Sequence, residues 1–398
     1  MSSRLKCRFP SKPTVKSVLG AKECPLQNGR KSKMAKPLKS TPVADEPAQF
    51  MVSQSKVKTF RRCHRAYHYR YVEKLRKKRK NRPLQFGTMI HEMLERYING
   101  DDPSDYLREL EQDVNQMRLF AQEREEYGDI IEDVEDIITD YIQHWENDGL
   151  RFIRKAGRGA EHTFEIEIMR DVIWNGKIDA IAATRNKLRW LVEHKTYTRK
   201  PTDDDRWRNL QSVTYFRAND IMGWQPLDGA LWDYIKSKPP AVPGLLKDGS
   251  LSTKQIDTLP SKIYRVLGQA KVTATDKTAQ ALLQKAERNR SEYFQRVHTP
   301  VNRAVADMVF ADFEATVREM VDRHGKCSDM NIDKHCGWCD YEPLCRSMLQ
   351  GLDVDYVKER EYTDGTKSPK NDDDEKPPVH KVGWETFAQD KAERAARA

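Results

Sequence analysis

The segment Gly176-Lys177-Ile178-Asp179-Ala180-Ile181 is followed, fourteen residues after Asp179, by Glu193-His194-Lys195. Residues two apart on a strand face the same side, so Glu193 and Lys195 project together, and a hairpin register brings Asp179 beside them. Two carboxylates on neighbouring strands form an oxygen-rich site suited to Mg²⁺ or Mn²⁺. An ammonium next to such a cation orients or deprotonates a water, which is the chemistry that phosphodiester hydrolysis needs. Acid-x-lysine triplets also arise by accident on solvent-facing hairpins, so the flanking residues must carry part of the case.

Two flanking pairs qualify. His91 and Glu95 are four apart, hence on one helical face, where His adds a neutral nitrogen ligand. Gln211 and Tyr215 are also four apart, offering an amide and a hydroxyl to phosphate or sugar and a ring to a base. Taken alone, each pair reads equally as the polar flank of an amphipathic helix. A separate constellation is Cys336-x-x-Cys339 with Cys345 six residues on. It presents three thiolates to one metal centre and lacks a fourth ligand locally. Cys327 would complete a local zinc site, thiolate suits zinc and iron–sulfur alike, and four unliganded thiols are the plain alternative. Cys7 and Cys24 carry no assigned role.

The elements that must position these residues follow from periodicity. Helices are expected over 55–73, after Gly87 (Met89, Ile90, Met93, Leu94 and Tyr97 at helical spacing), in two stretches between Pro103 and Trp145, and over 206–220. Strands are expected around Phe164–Ile168, over 176–183 and 188–195 with a turn at 184–187, and over 227–235. The remainder up to Met320 reads as mainly helical. This order predicts an α/β core with a mixed central sheet and helical additions. Residues 1–48 read as a disordered basic tail, 49–350 as the folded domain with a helical insertion at about 100–157, and 351–398 as a flexible charged tail with a short helical end.

Composition narrows the partner. The chain has 398 residues, a net charge of +9 and seven cysteines. The charge favours an anionic partner, above all nucleic acid. No run of ~18 apolar residues occurs, so no membrane span is expected. No apolar leader is visible, which predicts a cytoplasmic protein whose clustered cysteines are metal ligands rather than disulfides. The stretch Arg61 to Tyr71 interleaves cations with aromatics. Tyr67 and Tyr71 read there as helix core and Arg61, Arg62 and Arg65 as phosphate contacts. Trp207 and Arg208 are candidates for lining a strand channel.

Gly87-Thr88-x-Ile90-His91-x-x-x-Glu95, Gly176-x-Ile178-Asp179, Glu193-x-Lys195 and Gln211-x-x-x-Tyr215 together resemble the ordered motifs of the RecB-like PD-(D/E)XK nuclease superfamily. CRISPR-associated adaptation exonucleases, AddB-type nuclease domains and phage exonucleases share that order. The resemblance implies a restriction-endonuclease-like core in which His91, Asp179 and Glu193 bind Mg²⁺ or Mn²⁺, the His194 carbonyl adds a ligand, and Lys195 is the catalytic lysine. Gln211 and Tyr215 would contact the substrate strand, and Glu95 is a position whose role varies. Ser55, Phe60, Cys63, Tyr67 and Tyr71 resemble the first-cysteine segment of the same group. This implies a [4Fe–4S] cluster on Cys63, Cys336, Cys339 and Cys345, clamping the two ends of the domain. The expected activity is a metal-dependent DNA exonuclease serving recombination, repair or replication in a phage or bacterium. A recombination or single-strand-annealing protein is the candidate partner. Its rivals are a non-cutting DNA-binding scaffold of the same fold and a zinc-stabilised interaction module.

Overall fold

The computed structural model describes residues 49–78, 82–116, 121–207, 209–247, 251–252, 254, 256–270, 277–366 and 378–397. The expected basic tail over 1–48, the acidic stretch 367–377, and Arg79, Lys80 and Arg208 lie outside them.

Strand β1 (Phe50–Val52) leads into helix α1 (Gln54–Arg62), opened by Ser53, whose side chain accepts the Lys56 N–H. The single helix expected over 55–73 is broken at Cys63, whose backbone is extended (φ −166°, ψ 118°). It resumes as α2 (His64–Tyr67) and one wide turn, His68–Val72, before strand β2 (Leu75–Lys77). Helix α3 (Arg82–Asn99) starts before Gly87 and buries Phe86, Met89, Ile90, Met93 and Leu94 along one stripe. Helices α4 (Pro103–Gln116) and α5 (Ala121–Trp145) make up the insertion.

The short β3 (Arg151–Phe152) is followed by β4 (Ala160–Met169), β5 (Val172–Ala183) and β6 (Arg189–Tyr197), the last three an antiparallel meander. The β5–β6 turn closes with Thr184 N–H donating to the Leu188 carbonyl and Lys187 in the left-handed region (φ 67°). Two helices, α6 (Asp203–Trp207) and α7 (Leu210–Ile221), replace the one expected over 206–220. They form the crossover to β7 (Gly229–Lys236), which runs parallel to β6. From Gly229 to Ile235 every residue of β7 is buried, as a strand covered on both faces requires.

Helices α8 (Pro260–Ala270) and α9 (Lys277–Tyr293) pack on α5. Its acidic row drives this: Asp136 meets Lys262 at 3.3 Å and Arg265 at 2.9 Å, and Asp140 meets Arg290 at 2.6 Å. Strand β8 (Phe294–Pro300) follows where helix was expected, pairing antiparallel with β7. After α10 (Arg303–Arg323) come a tight turn at Lys334–Trp338, α11 (Glu342–Leu349), α12 (Val354–Glu361), β9 (Tyr362–Asp364), β10 (Val379–Val382) and α13 (Trp384–Arg397).

The sheet runs β10-β4-β5-β6-β7-β8, with β1 and β3 also on β5, and is mixed as expected. Strand alternation sorts the faces. Leu191, Ala230 and Trp232 join the core under α7 and α10, whereas Trp190, Val192 and Leu231 pack with Ile98 of α3. The C-terminal region departs from the expected flexible tail. β10 adds to the edge of β4, β9 pairs with β2, and α13 buries Phe387 and pairs Asp390 with Arg217 at 2.8 Å. Its apolar anchors are too few to stand out from a charged background, and its ionic partners lie far away in the chain.

Candidate active site

β5 and β6 are paired from Ala183↔Arg189 to Ala180↔Val192, and Asp179 and Glu193 stand just past the last pair. Glu193 shares the strand parity of Leu191 and so belongs to the face covered by α7. The His194 backbone N–H donates to Asp179 Oδ2 at 2.9 Å, and His91 Nδ1 reaches from α3 to within 3.9 Å of the same oxygen. Lys195 Nζ is ion-paired with Glu193 Oε1, while Glu193 Oε2 is buried with no hydrogen-bond partner. His91, Asp179, Glu193 and Lys195, distant in sequence, are thus brought to one place.

Burial pushes the Glu193 carboxyl above its usual range; Lys195 opposes this, and the Asp179 charge reinforces it. Burial would lower the Lys195 ammonium, but Glu193 and Asp179 hold it above its usual value. Burial thus favours the protonated Glu193 carboxyl, while the two carboxylates favour the protonated Lys195 ammonium. A divalent cation would stabilise the ionised carboxylates. The His91 imidazole is driven down to about 3 by burial, with the His194 and Lys195 neighbours adding to it, so it is the neutral form that serves as a ligand.

The His194 side chain points to the other face, and its role was not foreseen. Its Nδ1 lies 3.0 Å from Oδ2 of the fully buried Asp233 on β7. The Tyr141 hydroxyl donates to the same oxygen, and Arg296 Nε lies 3.3 Å from Asp233 Oδ1. Burial alone would raise the Asp233 carboxyl, yet Arg296 and His194 overcome it and hold it at about 2. The one sign of this in the sequence is an aspartate inside the apolar run Ala230-Leu231-Trp232-Asp233-Tyr234-Ile235. Glu161 was also missed. It stands on β4 opposite Asp179, and ligand atoms of His91, Glu161 and Asp179 all lie within 4.8 Å of one another.

With this geometry in place, the match to a known family decides the reading: the family model of the PD-(D/E)XK nuclease superfamily fits the chain over residues 51–346. The chain belongs to that superfamily. The matched span runs from β1 to α11 and takes in every site residue named above. No curated protein matches the chain. Membership of this nuclease superfamily implies metal-dependent hydrolysis of DNA. Among the described residues, no helix is long and apolar enough to cross a membrane.

Other residues of this superfamily member distribute unevenly. Gln211 Nε2 lies 3.4 Å from the Tyr215 hydroxyl, but the Tyr215 ring is buried edge-on against Phe164, so it is not open to a base as expected. The same Phe164 ring explains Gly176, where a Cβ would sit 2.4 Å from it. Glu95 is engaged by Arg158 at 2.5 Å. Tyr67 is core, as read, and Arg61 is committed to Asp312 at 2.7 Å and to Thr316 rather than free for phosphate.

Cys63, Cys336, Cys339 and Cys345 line one cavity of about 310 Å³. The extended break at Cys63 places it there, its Sγ accepting the Asn331 N–H at 3.5 Å. Cys327 does not line this cavity and is buried in the main core. Burial, with the charges of Cys339 and Cys63 adding, pushes the Cys345 thiol up to about 11, while Arg65 pulls it down. Arg62 acts likewise on Cys339. Among the described residues, no three cysteine sulfurs approach within 4.8 Å of one another.

Proposed function

We propose that this chain is a Mg²⁺- or Mn²⁺-dependent exonuclease that hydrolyses DNA at the Asp179–Glu193–Lys195 site. The observation that carries this reading is the convergence of the buried Asp179 and Glu193 carboxylates with Lys195 and His91 at the fork of β5 and β6. Asp179, Glu193 and the neutral His91 imidazole would hold the cation, together with the His194 carbonyl. When bound it would neutralise the phosphate and lower the pKa of a water. Lys195 orients that water, and the hydrogen bond from the His194 N–H keeps Asp179 aimed. Gln211 steadies the strand through phosphate or sugar. The test is nucleotide release from end-labelled linear DNA, with closed circular DNA as the endonuclease control. Glu193→Ala and Lys195→Ala should each abolish release; full activity in either refutes the site.

For the second centre, the shared cavity supports Cys63 over Cys327 as the fourth ligand beside Cys336, Cys339 and Cys345. Thiolates suit zinc and iron–sulfur alike. On its resemblance to the cysteine motifs of related nucleases, we read this set as holding a [4Fe–4S] cluster, which would staple Cys63 to the 334–349 segment beside the arginines of α1 and α2. In this reading Arg62 and Arg65 steady thiolates rather than DNA.

A further inference from the structure

We infer that Glu161 is a ligand of the catalytic cation, and that Lys177 occupies its carboxylate until the cation displaces it; this rests on the metal-site reading above. Glu161 is only 5 % exposed, and its backbone adopts the left-handed region (φ 57°), an arrangement that a residue without a Cβ tolerates far better. The irregular backbone sits between the pairs Ala160↔Ala180 and His162↔Ile178 and sets the side chain opposite Asp179. Its carboxylate, Asp179 and His91 present two oxygens and a nitrogen within 4.8 Å of one another, which is ligand spacing for one ion. The buried Glu193 Oε2 nearby, with no hydrogen-bond partner, is a second group in the same region awaiting positive charge.

Glu161 is ion-paired with Lys177, whose side chain is half exposed. An ammonium on a flexible exposed stem is a weak competitor for a divalent ion, and once released it stands beside the site where a DNA phosphate arrives. Cation entry and Lys177 release are therefore one exchange.

The experiment is calorimetric titration of the full chain with Mn²⁺, without DNA. Glu161→Gln should weaken Mn²⁺ at least tenfold while the near-ultraviolet circular dichroism stays native. Lys177→Gln should tighten Mn²⁺ severalfold, and should have no effect when Glu161→Gln is already present. If Glu161→Gln binds Mn²⁺ like the unmodified chain while Asp179→Asn loses it, Glu161 is a structural partner of Lys177 and the inference is wrong. If Asp179→Asn also binds normally, the metal-site reading itself fails. Should Glu161→Gln not fold, Lys177→Gln still decides: unchanged affinity there overturns the exchange.

Discussion

His194 Nδ1 and Asp233 Oδ2 lie 3.0 Å apart beneath the strand that carries Glu193 and Lys195, and neither side chain reaches solvent. Arg296 and Tyr141 complete the cluster, so the helical insertion is tied to β6 through buried charge. Removing one member of such a set leaves the others buried and unpaired. Asp233→Asn should lower stability by about 3 kcal/mol or more, read as a reduced urea midpoint. It should also slow cleavage at saturating Mg²⁺, because the backbone N–H that holds Asp179 belongs to His194. An unchanged midpoint would show that the cluster contributes no stability.

The acid limb of the stability profile depends on histidines held neutral. His91 sits at about 3 and His162 at about 4, both lowered mainly by burial, against an unfolded value near 6.5. A lowered folded-state value means that the unfolded chain takes up the proton first, so stability is intact above about 6.5 and declines as pH falls toward the folded value. For His162 the loss should be roughly 2–3 kcal/mol at pH 4.5. Urea unfolding of His162→Asn between pH 4 and 8 should give a flatter acid limb than the unmodified chain. Parallel curves would exclude a neutral buried imidazole.

Much of the site was legible because its chemistry is local. Asp179, Glu193 and Lys195 sit on adjacent strands of one hairpin, where period-two alternation and a turn set the register. His91 could be placed on a helix face, and the structure brings it to Asp179. What stayed hidden depends on partners far along the chain. Glu161 precedes the clear Phe164-Ile166-Ile168 alternation, and only a left-handed backbone turns it toward Asp179. Strand β8 reads Phe-Gln-Arg-Val-His-Thr-Pro, whose two apolar residues give no pattern until β7 pairs with it. The Tyr215 ring looked available to a base because Phe164, fifty-one residues earlier, is what covers it.

The C-terminal segment should matter for stability despite its charge. Phe387 is 1 % exposed, Lys391 meets Glu314 at 2.7 Å, and β10 covers the edge of the long strand β4. Burial of one large apolar side chain contributes about 2–3 kcal/mol. Deleting 378–398 should therefore cost about 3 kcal/mol or more and leave β4 as an open edge prone to aggregation. Light scattering and a urea titration of the truncated chain check both parts. A monomeric protein with the original midpoint would contradict them.

The cysteine centre separates two ligand sets by a single pair of variants. Cys63 shares its cavity with Cys336, Cys339 and Cys345, whereas Cys327 is packed in the main core. Purified without oxygen, the chain should show broad visible absorption. That absorption should disappear in Cys63→Ser and persist in Cys327→Ser. Because Cys63 lies between α1 and α2 and the other three near α11, loss of the cluster should also loosen the contact between these two segments. This reads as faster amide exchange at 54–72 and 334–349, with the sheet around Asp179 still protected. Colour lost in Cys327→Ser instead would move the fourth ligand to the local set, and colourless protein containing zinc would replace the cluster with a single ion.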